Sequence, residues 1–301
     1  MKYIDGLVSV VMPTYKRSEK LLRAIDSVLN QTYGNLELLL VNDNEPSDEY
    51  SVELKKRVAK YFGDERFHLI LQEKHINGAV ARNVAIRQAK GQYIAFLDDD
   101  DWWELNKLEE QVKVLSNLDD SWGAVSCKFT LYNQAGKIIG KTRKYRDGYI
   151  YKDILNLMSD VATGTLLLRH DYFDTTRYFD ENLLRHQDLQ LLVDFTSKYK
   201  LKEVDQYLHC VDVSDTQNRP NPEKLKIYKE AFFNSVKPTL NLLSEKEQKC
   251  VYAMHRFELG YICYRYGDYR SAVKNLMLVL TSPMALCLSA RKIIDKLRTW
   301  H

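Results

Sequence analysis

The sequence is poor in cysteine, and its cysteines show no pairing pattern. Five cysteines are spread over 301 residues, their number is odd, and no Cys-x-x-Cys pair occurs. This pattern argues against a disulfide framework and against a zinc site built from cysteines. We therefore expect reduced thiols and a cytoplasmic protein.

Long apolar runs and a strong net charge are also missing. No uninterrupted apolar run reaches the length of a membrane-spanning helix. Asp5 and Gly6 interrupt the N-terminus before an apolar run of only six residues, so we expect no signal peptide. The net charge of +3 is too small to indicate nucleic-acid binding, and we expect no nucleic-acid partner.

The basic residues are unevenly distributed along the chain. Residues 137–146 contain five basic residues and no acidic one. The last helical pattern places Ile293, Ile294 and Leu297 on one side, with basic residues around them. This arrangement is typical of a helix on an anionic membrane surface, and ordinary packing of an amphipathic terminal helix explains it equally well. The first interpretation predicts a peripheral contact of this helix with the inner face of the plasma membrane.

The first hundred residues alternate strand-like apolar runs with helical patterns. The apolar runs cover residues 7–12, 36–41, 67–71 and 93–97, and Gly91 is expected to stop the helix before the fourth run. Short apolar strands separated by helices predict an α/β fold with a mostly parallel sheet covered on both faces. Ligands bind such sheets at the carboxyl ends of the strands.

The most informative motif is a run of four aspartates at 98–101, directly after the fourth apolar run. Adjacent carboxylates repel one another, so the cluster needs solvent or a cation to neutralise it. Carboxylate oxygens are ligands that Mg²⁺ and Mn²⁺ prefer. The alternative is an acidic turn that caps the following helix.

Several motifs share their order and spacing with a known family. The dense matches lie at residues 8–15, 26–33, 37–43, 81–85 and 91–101, and looser ones at 164–165, 179–181 and 186–188. Together they resemble the family 2 glycosyltransferases of bacterial cell-surface polysaccharide synthesis. The resemblance implies the GT-A fold, which is a Rossmann-like nucleotide-binding sheet flanked by helices, here with an all-helical C-terminal extension.

The resemblance implies roles for the matching residues around the donor nucleotide. Asp43 would accept a hydrogen bond from the base, as in uracil recognition, and its alternative is a turn-forming residue. Arg82 would face the ribose or diphosphate, and its alternative is a solvated helix arginine. The full expected donor set is Pro13, Thr14, Tyr15, Arg17, Asp43, Arg82, Asp98 and Asp99.

The same resemblance implies a divalent metal, Mn²⁺ or Mg²⁺, at an Asp-x-Asp motif. Asp100 is expected to bind the metal directly, with Asp98 nearer the ribose or a metal-bound water. His209 is a candidate for a further ligand, and a purely structural histidine is the alternative.

Asp188 corresponds to the catalytic base of the family. It would take the proton of the acceptor hydroxyl, and its alternative is an ordinary first-turn helix acid. The predicted lid is a loop over 212–222, with Gln217 or Arg219 near the diphosphate. The expected sugar and acceptor wall consists of Trp102, Trp103, Gly164, Thr165 and Gln187.

The resemblance therefore implies a metal-dependent, inverting glycosyltransferase. It would move one sugar from a nucleotide-diphospho-sugar, in the first place a UDP-sugar, to a glycan acceptor on a polyprenyl diphosphate carrier. No Gln-x-x-Arg-Trp motif of processive synthases is present. We predict a catalytic domain over 1–215, with a donor half (1–105) and an acceptor half (106–215), followed by a helical region (216–301). A dTDP-sugar or a GDP-sugar is an alternative donor. A homo-oligomer is an alternative to a monomer.

Two other classes compete with this interpretation. Sugar nucleotidyltransferases usually carry a glycine-rich loop after the first strand, whereas Pro13, Thr14 and Tyr15 occupy that position here. A catalytically inactive binding or scaffold module is the second alternative. The joint presence of Asp43, Asp98, Asp100 and Asp188 argues against it.

Overall fold

The computed structural model of the protein describes residues 2–16, 19–142, 147–214 and 220–298. Within these ranges the strands are β1 (Ile4–Thr14), β2 (Leu36–Asn42), β3 (Phe67–Leu71), β4 (Gly91–Phe96), β5 (Trp102–Trp103), β6 (Trp122–Tyr132), β7 (Ile138–Lys141), β8 (Leu167–Arg169) and β9 (Lys200–Asp212). The α-helices are α1 (Leu21–Leu29), α2 (Glu49–Val58), α3 (Gly78–Gln88), α4 (Lys107–Leu115), α5 (Tyr151–Leu155), α6 (Gln187–Lys198), α7 (Pro222–Ser235), α8 (Lys237–Leu240), α9 (Glu245–Arg265), α10 (Tyr269–Val279) and α11 (Pro283–Arg298).

One sheet runs through the molecule in the order β3-β2-β1-β4-β8-β6-β9-β5, with β7 paired to β6. The first four strands of this order are parallel to one another. β8 then runs antiparallel to both β4 and β6. The predicted parallel sheet is therefore found in the first half of the chain, and the second half makes the sheet mixed. The carboxyl ends of β1 to β4 lie side by side along one edge.

Strand β1 shows how both faces of the sheet become buried. Val10 and Met12 pack in a cluster with Leu21 and Ile25 of α1. Val11, which points to the opposite face because strand side chains alternate, belongs to a second cluster with α3 and α6. A strand covered on both sides must be apolar at nearly every position, which explains its continuous apolar run.

Helices replace strands after β9, yet they share the core of the sheet. Phe232 of α7, Val236 and Val251 belong to the same buried cluster as Ile94 of β4. The long helix α9 starts with a capping box, in which Ser244 and Glu247 satisfy each other's backbone N–H groups. The division of the chain at residue 215 stays a prediction, because side chains from both sides of it pack together.

Gly91 is not the helix stop that the sequence suggested. Helix α3 ends at Gln88 with Ala89 as its C-cap, and Gly91 is the first residue of β4. A Cβ at Gly91 would lie 2.5 Å from the carbonyl oxygen of Leu7 and 2.7 Å from Ser9 Oγ. The glycine is required by this close approach of two parallel backbones, and the Gly91 N–H donates to Ser9 Oγ at 2.8 Å.

The substitution Gly91→Ala is expected to lower the free energy of unfolding by about 1–3 kcal/mol, because backbone atoms of β1 would have to move. The matched control is Gly34→Ala, where a Cβ would meet nothing within 4 Å. Urea denaturation of both variants measures the difference. Equal stabilities of the two variants would contradict this account of Gly91.

Candidate functional site

Polar side chains from separate parts of the sequence meet at the carboxyl ends of the parallel strands. Thr14 ends β1, and the N–H of Asp43, directly after β2, donates to its carbonyl oxygen at 3.0 Å. Gln72 follows β3, and Asp98 follows β4 by two residues. The topology thus brings the expected polar clusters to one crevice.

Asp43 forms one wall of the crevice. It is only 2% exposed, and its carboxylate accepts a hydrogen bond from Gln72 Nε2 at 2.7 Å and lies 2.9 Å from His75 Nδ1. Burial raises the pKa of the Asp43 carboxyl, and the neighbouring His75 opposes that shift. The His75 ring stacks on Tyr15, with ring centroids 3.8 Å apart. Stacked rings beside a buried acceptor can recognise a flat heteroaromatic group.

The turn that carries Tyr15 is fixed by a hydrogen bond to the Asn44 side chain. Pro13 lies in β1, and Lys16 adopts a left-handed conformation with φ of 52°. The Lys16 N–H donates to Asn44 Oδ1 at 2.9 Å, which ties this turn to the turn after β2. The predicted residues that lie outside the described ranges are Arg17, Gln217 and Arg219.

The aspartates after β4 take different partners. Asp98 accepts a hydrogen bond from Arg82 Nη2 at 2.5 Å, and this ion pair is partly exposed. Asp99 is buried and accepts from Thr14 Oγ1 at 2.6 Å. Because hydrogen bonds to charged groups are the strong ones, the two contacts hold the turn against β1 and α3.

Asp101 connects the acidic run to β9. Its carboxylate accepts the N–H of Asp212 at 2.9 Å and lies 3.3 Å from His209 Nε2. His209 is 1% exposed, and a Cβ at Gly164 would lie 2.5 Å from its ring. These contacts are those expected of a histidine with a structural role. The role of His209 as a metal ligand stays a prediction.

Within the described ranges, no group of three or more His, Cys, Asp or Glu side chains is arranged to hold a metal ion. Asp98 and Asp100 nevertheless offer hard carboxylate oxygens, and Arg23 Nη2 steadies the turn by donating to the Asp100 carbonyl at 2.8 Å. Mg²⁺ is commonly held by one or two carboxylates plus substrate phosphates. The donor set therefore fits a cation that binds together with a phosphate-bearing ligand.

Helix α3 positions Arg82. Asn77 caps the helix by accepting from the Ala79 N–H at 2.9 Å. Asn83 exchanges two hydrogen bonds with the backbone of Phe179, at 2.9 and 3.1 Å, which ties α3 to the loop before α6. Gly78 leaves room for the guanidinium, since a Cβ there would lie 2.9 Å from Arg82 Nη1.

A cavity of about 170 Å³ lies between α3, the acidic turn and the start of α6. Arg82 and Asp98 line it together with Asp188 and Gln187. Burial lowers the pKa of the neighbouring His186, and the negative charge of Asp188 opposes that shift. The other lining residues are Thr163, Phe179, Leu184, Arg185 and His186. The cavity therefore brings a carboxylate and an arginine together.

Gln187 and Trp102, two residues of the predicted acceptor wall, have different surroundings. Gln187 lines the cavity, and its amide donates to the Leu183 carbonyl at 2.5 Å. Trp102 does not line the cavity. It is half-buried, with the Arg23 guanidinium 3.8 Å above its ring and Tyr132 at 4.8 Å.

The other three predicted wall residues, Trp103, Gly164 and Thr165, are buried behind the cavity. Trp103 Nε1 donates to the Gly164 carbonyl at 3.0 Å, and Gln111 Nε2 donates to the Thr165 carbonyl at 2.7 Å. Lys107 Nζ in turn donates to Gln111 Oε1 at 2.6 Å and lies 4.0 Å from the Trp103 ring centroid. Burial lowers the pKa of Lys107 to about 8. This network holds the backbone of Gly164 and Thr165 in place.

Sequence reasoning assigned no role to several residues of the site, among them Gln72, His75, Thr163 and His186. Gln72 directly follows a predicted strand, so its position at the same edge as Asp43 was a usable signal. Thr163 adjoins the Gly164-Thr165 pair. His186 adjoins Gln187 and Asp188 within the matched stretch 186–188, whereas His75 carries no such signal, because its contacts with Asp43 and Tyr15 come from elements distant in sequence.

Comparison with known proteins supports a single assignment. The model for "Glycosyl transferase family 2" matches residues 9–176. The chain is 28% identical to the amylovoran biosynthesis glycosyltransferase AmsB of Erwinia amylovora, over 63% of this chain and 64% of the relative. It is 42% identical to the Escherichia coli UDP-Glc:alpha-D-GlcNAc-diphosphoundecaprenol beta-1,3-glucosyltransferase WfgD, over 37% of this chain and 42% of the relative. The chain spans only 33% to 64% of the length of several curated relatives.

A solved structure shares the fold. The mannosyltransferase PcManGT from Pyrobaculum calidifontis, in complex with GDP-Man and Mn²⁺, has a TM-score of 0.60 and 18% identity, covering 97% of this chain and 82% of that chain. At this identity the likeness shows the fold alone. The predicted GT-A architecture with C-terminal helices is thereby confirmed.

Lys107→Met is expected to change how stability depends on pH. The folded-state pKa of Lys107 is about 8, below that of an exposed lysine, so the unfolded chain binds more protons between the two values. The unfolding free energy of the wild type should therefore rise relative to the variant, by on the order of 1–3 kcal/mol, between about pH 8 and pH 10.5.

Urea denaturation across this pH range measures the effect, with the exposed Lys113→Met on the same helix as the matched control. The control should keep a constant difference from the wild type. A constant difference for Lys107→Met as well would show that burial does not disfavour its charge.

Proposed function

Since this chain belongs to glycosyl transferase family 2, we propose that it transfers one sugar with inversion from a nucleotide-diphospho-sugar to a glycan hydroxyl. Its class as a glycosyltransferase and its place in polysaccharide biosynthesis rest on the family match and the named relatives. The observation that carries the proposal is the cavity that Asp188 lines together with the Arg82–Asp98 pair.

The proposed donor site is the crevice at the ends of β1 to β3. Asp43 would accept the imide N–H of a uracil base, and Tyr15 and His75 would provide a stacking surface. The relative WfgD is named for UDP-Glc, and PcManGT was solved with GDP-Man. A buried acceptor carboxylate favours UDP as the first candidate.

We propose Asp100, assisted by Asp98, as the ligands of Mn²⁺ or Mg²⁺. When bound, the ion would offset the negative charge that develops on the departing diphosphate. Arg82 adds a fixed positive charge beside Asp98, and Thr14 holds Asp99 so that the turn keeps its shape.

Asp188 is the proposed general base. It removes the proton of the acceptor hydroxyl while that oxygen forms a bond to the anomeric carbon of the sugar. The bond between the anomeric carbon and the phosphate oxygen breaks, and its electron pair leaves with the nucleoside diphosphate. Attack from the face opposite the leaving group inverts the anomeric configuration. The first turn of α6 keeps the carboxylate at the cavity.

The proposed acceptor is a saccharide linked to a polyprenyl diphosphate. WfgD is named for an acceptor of this type. An acceptor held in a bilayer would place the enzyme in the cytoplasm, as a peripheral protein on the inner face of the plasma membrane.

Asp188→Asn is expected to lower kcat by about 10²–10⁴-fold with little change in donor affinity, because an amide cannot accept the hydroxyl proton. Sugar transfer at saturating donor measures kcat, and circular dichroism checks the fold. The matched control is Asp153→Asn, a first-turn acid of α5. Near-wild-type turnover of a folded Asp188→Asn variant would eliminate Asp188 as the base.

Calorimetric titration with UDP, dTDP, GDP and CDP, each with Mn²⁺ and with chelator, tests the donor site. We expect one nucleotide, in the first place UDP, to bind in a metal-dependent way. Asp100→Asn should weaken binding about tenfold or more in Mn²⁺ and leave binding in chelator unchanged. Failure of the folded protein to bind any nucleotide would overturn the donor-site assignment.

A further inference from the structure

Helix α10 carries an exposed apolar stripe, of which Leu276 also approaches Gly260 of α9. Its exposed apolar side chains include Tyr269, Val273, Leu276, Met277 and Leu280, at 40% to 64% exposure. On a helix with 3.6 residues per turn these five positions fall within an arc of about 100°. The buried positions Ala272, Asn275 and Val279 are centred about 120° around the helix from the centre of the stripe. The stripe therefore lies between the buried positions and the exposed basic residues of the helix.

The neighbouring elements extend this apolar character. Exposed apolar side chains on α11 are Met284, Leu286, Ile293 and Ile294, and exposed tyrosines at the end of α9 are Tyr261, Tyr264 and Tyr266. Tyr264 and Tyr269 lie edge to face, with ring centroids 5.8 Å apart, which connects α9 to the stripe. Tyrosine has an apolar ring and a polar tip, and it is enriched where apolar and aqueous phases meet.

The charge of this region selects among possible partners. From residue 269 to residue 294 the sequence has four basic residues and no Asp or Glu. Arg270 and Lys274 are exposed and lie directly beside the stripe on α10. Two copies of such a surface would bring like charges together, whereas anionic headgroups would be attracted to it.

We propose that the outer stripe of α10, with Arg270 and Lys274 at its border, docks on a bilayer containing anionic phospholipids. The sequence indicated only the last helix as a membrane contact, and the structure adds α10 as the main surface. This proposal rests on the proposed function in one respect: an acceptor held in the membrane would explain why the enzyme docks on a bilayer. In the described residues no single helix is long and apolar enough to cross a membrane, and α10 and α11 qualify only as a pair bent by 120°.

Sedimentation of the full chain with vesicles tests the surface. Vesicles of phosphatidylcholine mixed with phosphatidylglycerol should bind the protein, pure phosphatidylcholine should bind it weakly, and added salt should reduce binding. The double substitution Val273→Glu with Met277→Glu should abolish binding. The matched control is Leu242→Glu, an isolated apolar residue that is 69% exposed outside the stripe, and it should bind like the wild type. Arg270→Gln and Lys274→Gln should each weaken binding about fivefold.

Three outcomes would overturn the proposal. These are no binding of the wild type to anionic vesicles, equal loss of binding in the stripe and control variants, and a wild-type dimer that the stripe substitutions dissociate in light scattering. The last outcome would mean that a second copy covers the stripe.

Transfer to a soluble acceptor separates this proposal from the proposed function. The stripe variant should keep wild-type transfer, and Asp188→Asn should keep wild-type vesicle binding. Failure of one activity therefore leaves the test of the other intact.

Discussion

Adjacent carboxylates must be separated or neutralised, and the turn after β4 meets this constraint by giving its aspartates partners from different elements. Arg82 of α3 pairs with Asp98, Thr14 of β1 binds Asp99, and the backbone of β9 binds Asp101. Each partner ties another element to the same point. The acidic turn therefore orders the crevice around it, because charge repulsion would otherwise force the carboxylates apart.

The helical C-terminal region also contributes to the shape of the site. Ser235, at the end of α7, donates to Asp180 Oδ2 at 2.5 Å, in the loop that leads to α6. His186, directly before α6, packs edge to face against Phe232 with ring centroids 5.7 Å apart. Burial lowers the pKa of His186 to about 4, so the ring is neutral at physiological pH and tolerates the apolar contact. The helix that carries Asp188 is braced from outside the sheet.

A second cavity in the described residues is larger than the one in which we propose the chemistry. A larger cavity of about 460 Å³ lies between α7 and α9, among charged and aromatic side chains. Its buried Lys229 already pairs with Glu258 and contacts His255 Nδ1 at 2.9 Å. His255 Nε2 reaches the Leu155 carbonyl at 3.0 Å, so these polar groups satisfy one another. The smaller cavity is lined by Asp188, the residue that we propose as the general base.

The sequence by itself determined the parallel half of the sheet, the family and the acidic turn. Strand periodicity and residue spacing are local properties, so they can be read without knowing the three-dimensional structure. It also placed Asp43, Asp98 and Asp188 as candidates. Only the tertiary structure decided that Trp103 and Thr165 are buried supports, that His75 stacks on Tyr15, and that α10 has an apolar outer stripe. Those facts depend on which side of an element its neighbours cover, and packing between residues far apart in the chain sets that choice.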